Sequence, residues 1–91
     1  VDDPAPPQAA VTVRFFAAAR AAAGLDEERI LVSAPATVGD VLEATVSIHG
    51  AGLAQVLRRC SYLLDETAIH GHETAVTDGD VLDVLPPFAG G

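Results

Sequence analysis

The sequence predicts an α+β fold, a mixed sheet with helices packed on one face, and three observations predict it. Apolar residues alternate in short runs near both ends, Val11 to Phe16 and Val81 to Leu85, which is the two-residue period of a strand. Between them the spacing becomes helical: Val38, Val41, Leu42 and Val46, then Leu53, Val56, Leu57 and Cys60. The chain has 91 residues, 49% of them apolar, with no Trp and 3 Phe, so it forms one small domain around an aliphatic core. Helices confined to the middle of such a chain pack on one side of the sheet.

Residues 1–10 carry Pro4, Pro6 and Pro7 beside Asp2 and Asp3 and read as a disordered leader. The folded domain is expected over residues 11–91, with a flexible tail at residues 86–91. In the first strand Val11, Val13 and Phe15 share the core face, and Thr12 and Arg14 share the other. Alternation puts Phe16 beside Arg14, where an aromatic is out of place. Either the strand ends and Phe16 folds inward, or Phe16 is an exposed anchor for a partner.

Ala17 to Ala23, alanines around Arg20, form a short helix that Gly24 stops. Asp26, Glu27 and Glu28 make an acidic bend, and Arg29 to Ser33 is a second strand that returns as a hairpin. Thr37 with Asp40 has the spacing of a capping box, and opens the helix carrying the Val38 stripe. His49-Gly50-Ala51-Gly52 breaks that helix before the next. Cys60 falls on the core-facing stripe of the second helix and reads as a small hydrophobe, since no cation on that stripe stabilises a thiolate. Arg58 and Arg59 lie off the stripe, in water.

Ser61 to Leu64 is a third strand, Asp65-Glu66 a turn, and Thr67 to Ile69 a short fourth strand. His70-Gly71-His72 has metal-ligand chemistry but no further ligands to complete a shell, so it reads as a solvated loop and no metal is expected. Thr77-Asp78-Gly79-Asp80 is a turn into the last strand, Val81 to Leu85. Leu82 and Val84 face the core there; Val81, Asp83 and Leu85 face the wetter side. The first and last strands are the most apolar and are expected to pair centrally and in parallel. That pairing brings Phe16 and Leu85 together on the open face, beside the root of the tail.

Thirteen Asp plus Glu against five Arg give a net charge of −8. Nucleic acid and anionic membrane are poor partners for such a surface, and a basic protein surface is its complement. The chain has no Lys to accept an isopeptide bond. A single Cys excludes an internal disulfide. No signal-peptide pattern and no membrane-length apolar run is present, so a cytoplasmic location is expected. No nucleophile, base and orienter stand together in the sequence, and no catalytic residue is assigned.

Pro86 and Pro87 end the last strand, because neither donates a backbone N–H. Phe88-Ala89-Gly90-Gly91 follows without a linker. Glycines without Cβ let a partner close tightly around such a tail, and the Gly91 carboxylate becomes a candidate functional group.

Phe15-Phe16-Ala17 with Arg20 and Gly24 resembles the opening of the molybdopterin synthase small subunit, a MoaD/ThiS-like family of sulfur carriers. Asp78-Gly79-Asp80-Val81 followed by Leu85-Pro86-Pro87-Phe88-Ala89-Gly90-Gly91 resembles its ending. The resemblance covers residues 11–91 and implies a β-grasp, ubiquitin-like fold. It implies that Gly91 is adenylated by an ATP-using, ubiquitin-activating-like adenylyltransferase and then converted by a sulfur donor to a thiocarboxylate. The tail then enters the large subunit, whose residues perform catalysis and where the sulfur builds the molybdopterin dithiolene of the molybdenum cofactor. On this resemblance Gly90 lets the tail through a narrow channel, Phe88 and Ala89 contact its walls, and Phe16 and Leu85 pack against the partner. No cofactor is held by the chain itself. Two other readings stand beside it: a carrier for a thiamine, cysteine or tungsten-cofactor pathway, and a ubiquitin-like modifier or interaction domain whose tail is never thiolated.

Overall fold

The computed structural model describes residues 7–87. Strand β1 runs Gln8–Phe15, so the expected leader is too long by Gln8, Ala9 and Ala10. Ala9 and Ala10 are buried, and the Ala10 amide donates to the Asp78 carboxylate at 2.7 Å. Alanines near a proline cluster carry almost no strand signal, and only long-range pairing recruits them.

After β1 come α1 (Ala17–Ala23), β2 (Glu27–Ser33), β3 (Ala36–Thr37), α2 (Val38–His49) and α3 (Ala51–Leu57). The chain continues through β4 (Ser61–Leu64), β5 (Thr67–Ile69), β6 (Ala75–Val76) and β7 (Val81–Leu85). The main sheet has the order β2-β1-β7-β4-β5. β1 and β7 are parallel at its centre, with Val13 beside Leu82 and Phe15 beside Val84. The flanking pairs are antiparallel. This mixed sheet with three helices is the β-grasp arrangement. The two-residue strands β3 and β6 form a separate ladder, too short for any periodicity to reveal.

Glu27 and Glu28 belong to β2 rather than to a bend; charged residues are at home on an edge strand. Gly24 closes α1 in the left-handed region at φ 83°, its N–H bonded to the Arg20 carbonyl. The α2 capping box forms as expected: Thr37 Oγ1 accepts from the Asp40 amide at 3.2 Å, and Asp40 accepts from the Thr37 amide at 2.9 Å. Gly50, at φ 94°, separates α2 from α3.

One face of the sheet is sealed. Val11, Val13 and Phe15 of β1 and Leu82 and Val84 of β7 pack with Ile30 and Tyr62 against Ala19 of α1, Val38, Val41 and Leu42 of α2, and Leu53 and Leu57 of α3. The polar atoms inside are satisfied: Thr45 donates to the Leu42 carbonyl at 2.7 Å and Tyr62 to the Leu57 carbonyl at 2.8 Å. Cys60 lies beyond the end of α3, partly buried against this core, and its Sγ bonds to the Val56 carbonyl. Burial pushes its thiol pKa up, the opposite of what an activated nucleophile needs. No helix among the described residues is long and apolar enough to cross a membrane.

Candidate functional site: the open sheet face at the tail root

The second face of β1 and β7 has no helix on it. Thr12, Arg14 and Phe16 alternate outward from β1, and Val81, Asp83 and Leu85 from β7, with Thr12 beside Val81 and Arg14 beside Asp83. Extending that register by one pair sets Phe16 beside Leu85. Phe16 keeps extended geometry (φ −120°, ψ 149°) although it is the N-cap of α1, and its amide donates to the Val84 carbonyl at 3.3 Å. Its ring is therefore held outward, and it is 40% exposed. The alternative in which Phe16 folds into the core is excluded.

The turn that achieves this is strained. Ala17 has φ 50°, a left-handed conformation that costs a residue with a Cβ about 1–2 kcal/mol. The chain swings from strand to helix within one residue and leaves Phe16 on the sheet.

Leu85 is half-buried rather than fully exposed, paired across β4 with Ser61. Asp83 departs further from expectation. It is 5% exposed, not the mark of a wet face. Arg14 covers it with a two-pronged ion pair, Nε to Oδ1 and Nη2 to Oδ2, the latter at 2.8 Å. Asp83 raises the guanidinium pKa of Arg14 first by hydrogen bonding and then by charge, with smaller contributions from Glu27 and Glu66. The guanidinium carbon also lies 6.0 Å from the centre of the Phe16 ring. In the sequence Arg14 and Asp83 stand as separate charges; the parallel register of β1 with β7 is what joins them.

The tail leaves this platform immediately. Pro86 is half-buried and Pro87 exposed, and both line a groove with Ala18 of α1 and Gln55, Val56 and Arg59 near α3. The expected site residues Phe88, Ala89, Gly90 and Gly91 lie outside the described residues.

The histidines stand elsewhere. His70 and His72 are exposed; the His72 ring meets Tyr62 edge-on at 5.5 Å and its carbonyl accepts from the Gly39 amide at 2.8 Å. His49, on α2, hydrogen-bonds Glu28 at 2.7 Å. Among the described residues no group of three or more His, Cys, Asp or Glu is placed to hold a metal.

The pattern of the ThiS family matches residues 13–91. The chain is 29% identical over 82 residues to the molybdopterin synthase sulfur carrier subunit of Chlamydomonas reinhardtii, covering 89% of this chain and 98% of that one. Small archaeal modifier protein 1 of Haloferax volcanii is 30% identical with a TM-score of 0.78, over 88% of this chain and 99% of that one. A chain in the complex of subunits 1 and 2 of the Helicobacter pylori molybdopterin-converting factor is 31% identical with a TM-score of 0.57, over 90% and 99% respectively.

Proposed function

The chain belongs to the ThiS family, and from that premise we propose that it is a sulfur carrier for molybdenum-cofactor synthesis, acting through a thiocarboxylate at Gly91. The observation that carries the reading is where the tail begins. β7 is a central strand that ends at Leu85, which the register sets beside the exposed Phe16, and Pro86 is the next residue of the chain. The name of the Chlamydomonas relative, a molybdopterin synthase sulfur carrier subunit, supports the pathway.

A carboxylate is a poor electrophile. An ATP-using adenylyltransferase makes the Gly91 carboxylate a mixed anhydride with AMP and releases pyrophosphate. A persulfide sulfur donor attacks the acyl carbon and AMP leaves; a thiol reductant then breaks the S–S bond of the resulting acyl disulfide, which releases the donor as a thiol and leaves the thiocarboxylate. The platform around Phe16 and Leu85 then seats on the large subunit while the tail reaches that subunit's catalytic groups. There the sulfur is transferred to a pterin precursor, and water returns the tail to a carboxylate. This chain supplies the tethered substrate; acid-base catalysis belongs to its partners. Those partners are basic at the contact, as an acidic chain requires.

Coexpression with an activating enzyme followed by intact mass measurement tests this. Sulfur replacing oxygen is expected on the full chain and is absent when Gly91 is deleted; an unchanged full-chain mass overturns the reading. Precursor pterin plus large subunit then distinguishes this pathway from a thiamine, cysteine or tungsten-cofactor carrier. The likeness to small archaeal modifier protein 1 favours a second reading, a protein modifier. In that case the tail appears joined to another protein's amine, and no free thiocarboxylate is recovered.

A further inference from the structure

Asp83 is a carboxylate buried on the one sheet face that has no helix over it. A buried charge is costly unless paired and hydrogen-bonded, and Arg14 supplies both prongs of that pairing from the adjacent strand. The fork geometry fixes the guanidinium plane as well as its charge. With two of its nitrogens taken by Asp83, the group is held beside the Phe16 ring, 6.0 Å from its centre. That is the outer edge of the range in which a cation and an aromatic face attract. Phe16 is not part of the packed core, so the sealed side of the sheet does not set its ring orientation.

We propose that the Arg14–Asp83 pair is a positioning device for Phe16, holding the ring ready for a partner with an apolar socket beside the tail root. The inference rests on the docking role read above for this face. A side chain ordered before contact has less freedom to lose on binding, so the pair raises affinity through Phe16 without needing contact of its own. Asp83 is the fixed post, because its strand is central and its carboxylate buried. Arg14 is the arm between post and ring.

Two variants of the full chain test it. Arg14→Leu combined with Asp83→Ala removes the charges together and leaves neither unpaired. Arg14→Lys keeps a cation but loses the planar fork. In the free protein, three-bond couplings that report the Phe16 χ1 angle are expected to show one rotamer in the parent and averaging in both variants, with thermal unfolding of the double variant little changed. A single Phe16 rotamer kept in both variants overturns the proposal. Unfolding of both variants overturns it too, since the pair would then serve the fold instead of the ring. Affinity for a molybdopterin synthase large subunit is expected to fall about tenfold in Arg14→Lys, the scale of losing one well-placed interface contact. Failure of the parent chain to bind that subunit counts against the molybdenum-cofactor reading alone, because the rotamer measurement needs no partner.

Discussion

The two faces of the central strand pair are made from the same two stretches of chain, one residue out of phase. On the helix side Val11, Val13, Phe15, Leu82 and Val84 are at most 2% exposed and are packed by all three helices. On the other side Phe16 is exposed and Leu85 half-buried beside the ion pair Arg14–Asp83. The first face holds the domain together and the second is left for contact. Phe15 and Phe16 are the sharpest form of the contrast: neighbours of identical chemistry, separated by the direction in which a strand points its side chains.

The strongest way to break that division is to truncate both phenylalanines. Phe15→Ala empties a sealed core position and is expected to cost about 3–5 kcal/mol of folding stability, read by urea unfolding. Phe16→Ala, like Leu85→Ala, is expected to weaken large-subunit binding by about 1–3 kcal/mol while changing stability by no more than about 1 kcal/mol. Comparable unfolding midpoints for Phe15→Ala and Phe16→Ala would erase the distinction between the faces. Thr37→Ala probes the sealed face more gently. Loss of the α2 cap is expected to cost about 1 kcal/mol of stability with partner affinity unchanged, and altered affinity would mean that the faces are coupled.

Tyr62 gives a pH test of the same side, and as the only Tyr it has its own absorbance signal. Burial first, and the neighbouring Cys60 second, push its phenol pKa above the ordinary tyrosine value. A folded pKa above the unfolded one contributes stability that is intact below the unfolded value and is lost as pH rises through the folded value. Tyrosinate absorbance is therefore expected to grow only well above the normal range, together with loss of structure. Ionisation at the ordinary value in a folded chain would show that the phenol is not sealed.

Much of this was legible in the sequence, for reasons that also explain the gaps. β1, β2, β4, β5 and β7 announced themselves by alternation or by β-branched and aromatic runs, and α2 by a capping box whose two hydrogen bonds both form. The central parallel pairing followed from the outer strands being the most apolar. β3 and β6 are two residues each, below the length at which a period exists. Gln8 to Ala10 lacked apolar signal, and Glu27 and Glu28 looked like a bend because edge strands tolerate charge. The helical spacing runs on to Cys60 although α3 ends at Leu57, and Cys60 still packs against the core. At the candidate site Phe16 was found by its wrong phase. The pairing of Arg14 with Asp83 was not found, because the residues are 69 apart and each alone resembles an ordinary solvated charge.

The parallel pairing of β1 with β7 also has a consequence for synthesis of the chain on the ribosome. β1 is completed by β7, which is made about 65 residues later and sits between β1 and β4 in the middle of the sheet. Until Val81–Leu85 has left the exit tunnel, the strands already made lack the partner that joins them, and long-range pairing of this kind forms slowly. A chain whose translation stops before β7 has no central strand and stays open to proteolysis. The fold thereby inspects its own product: a copy that reaches the native state has been translated to the threshold of the tail it presents.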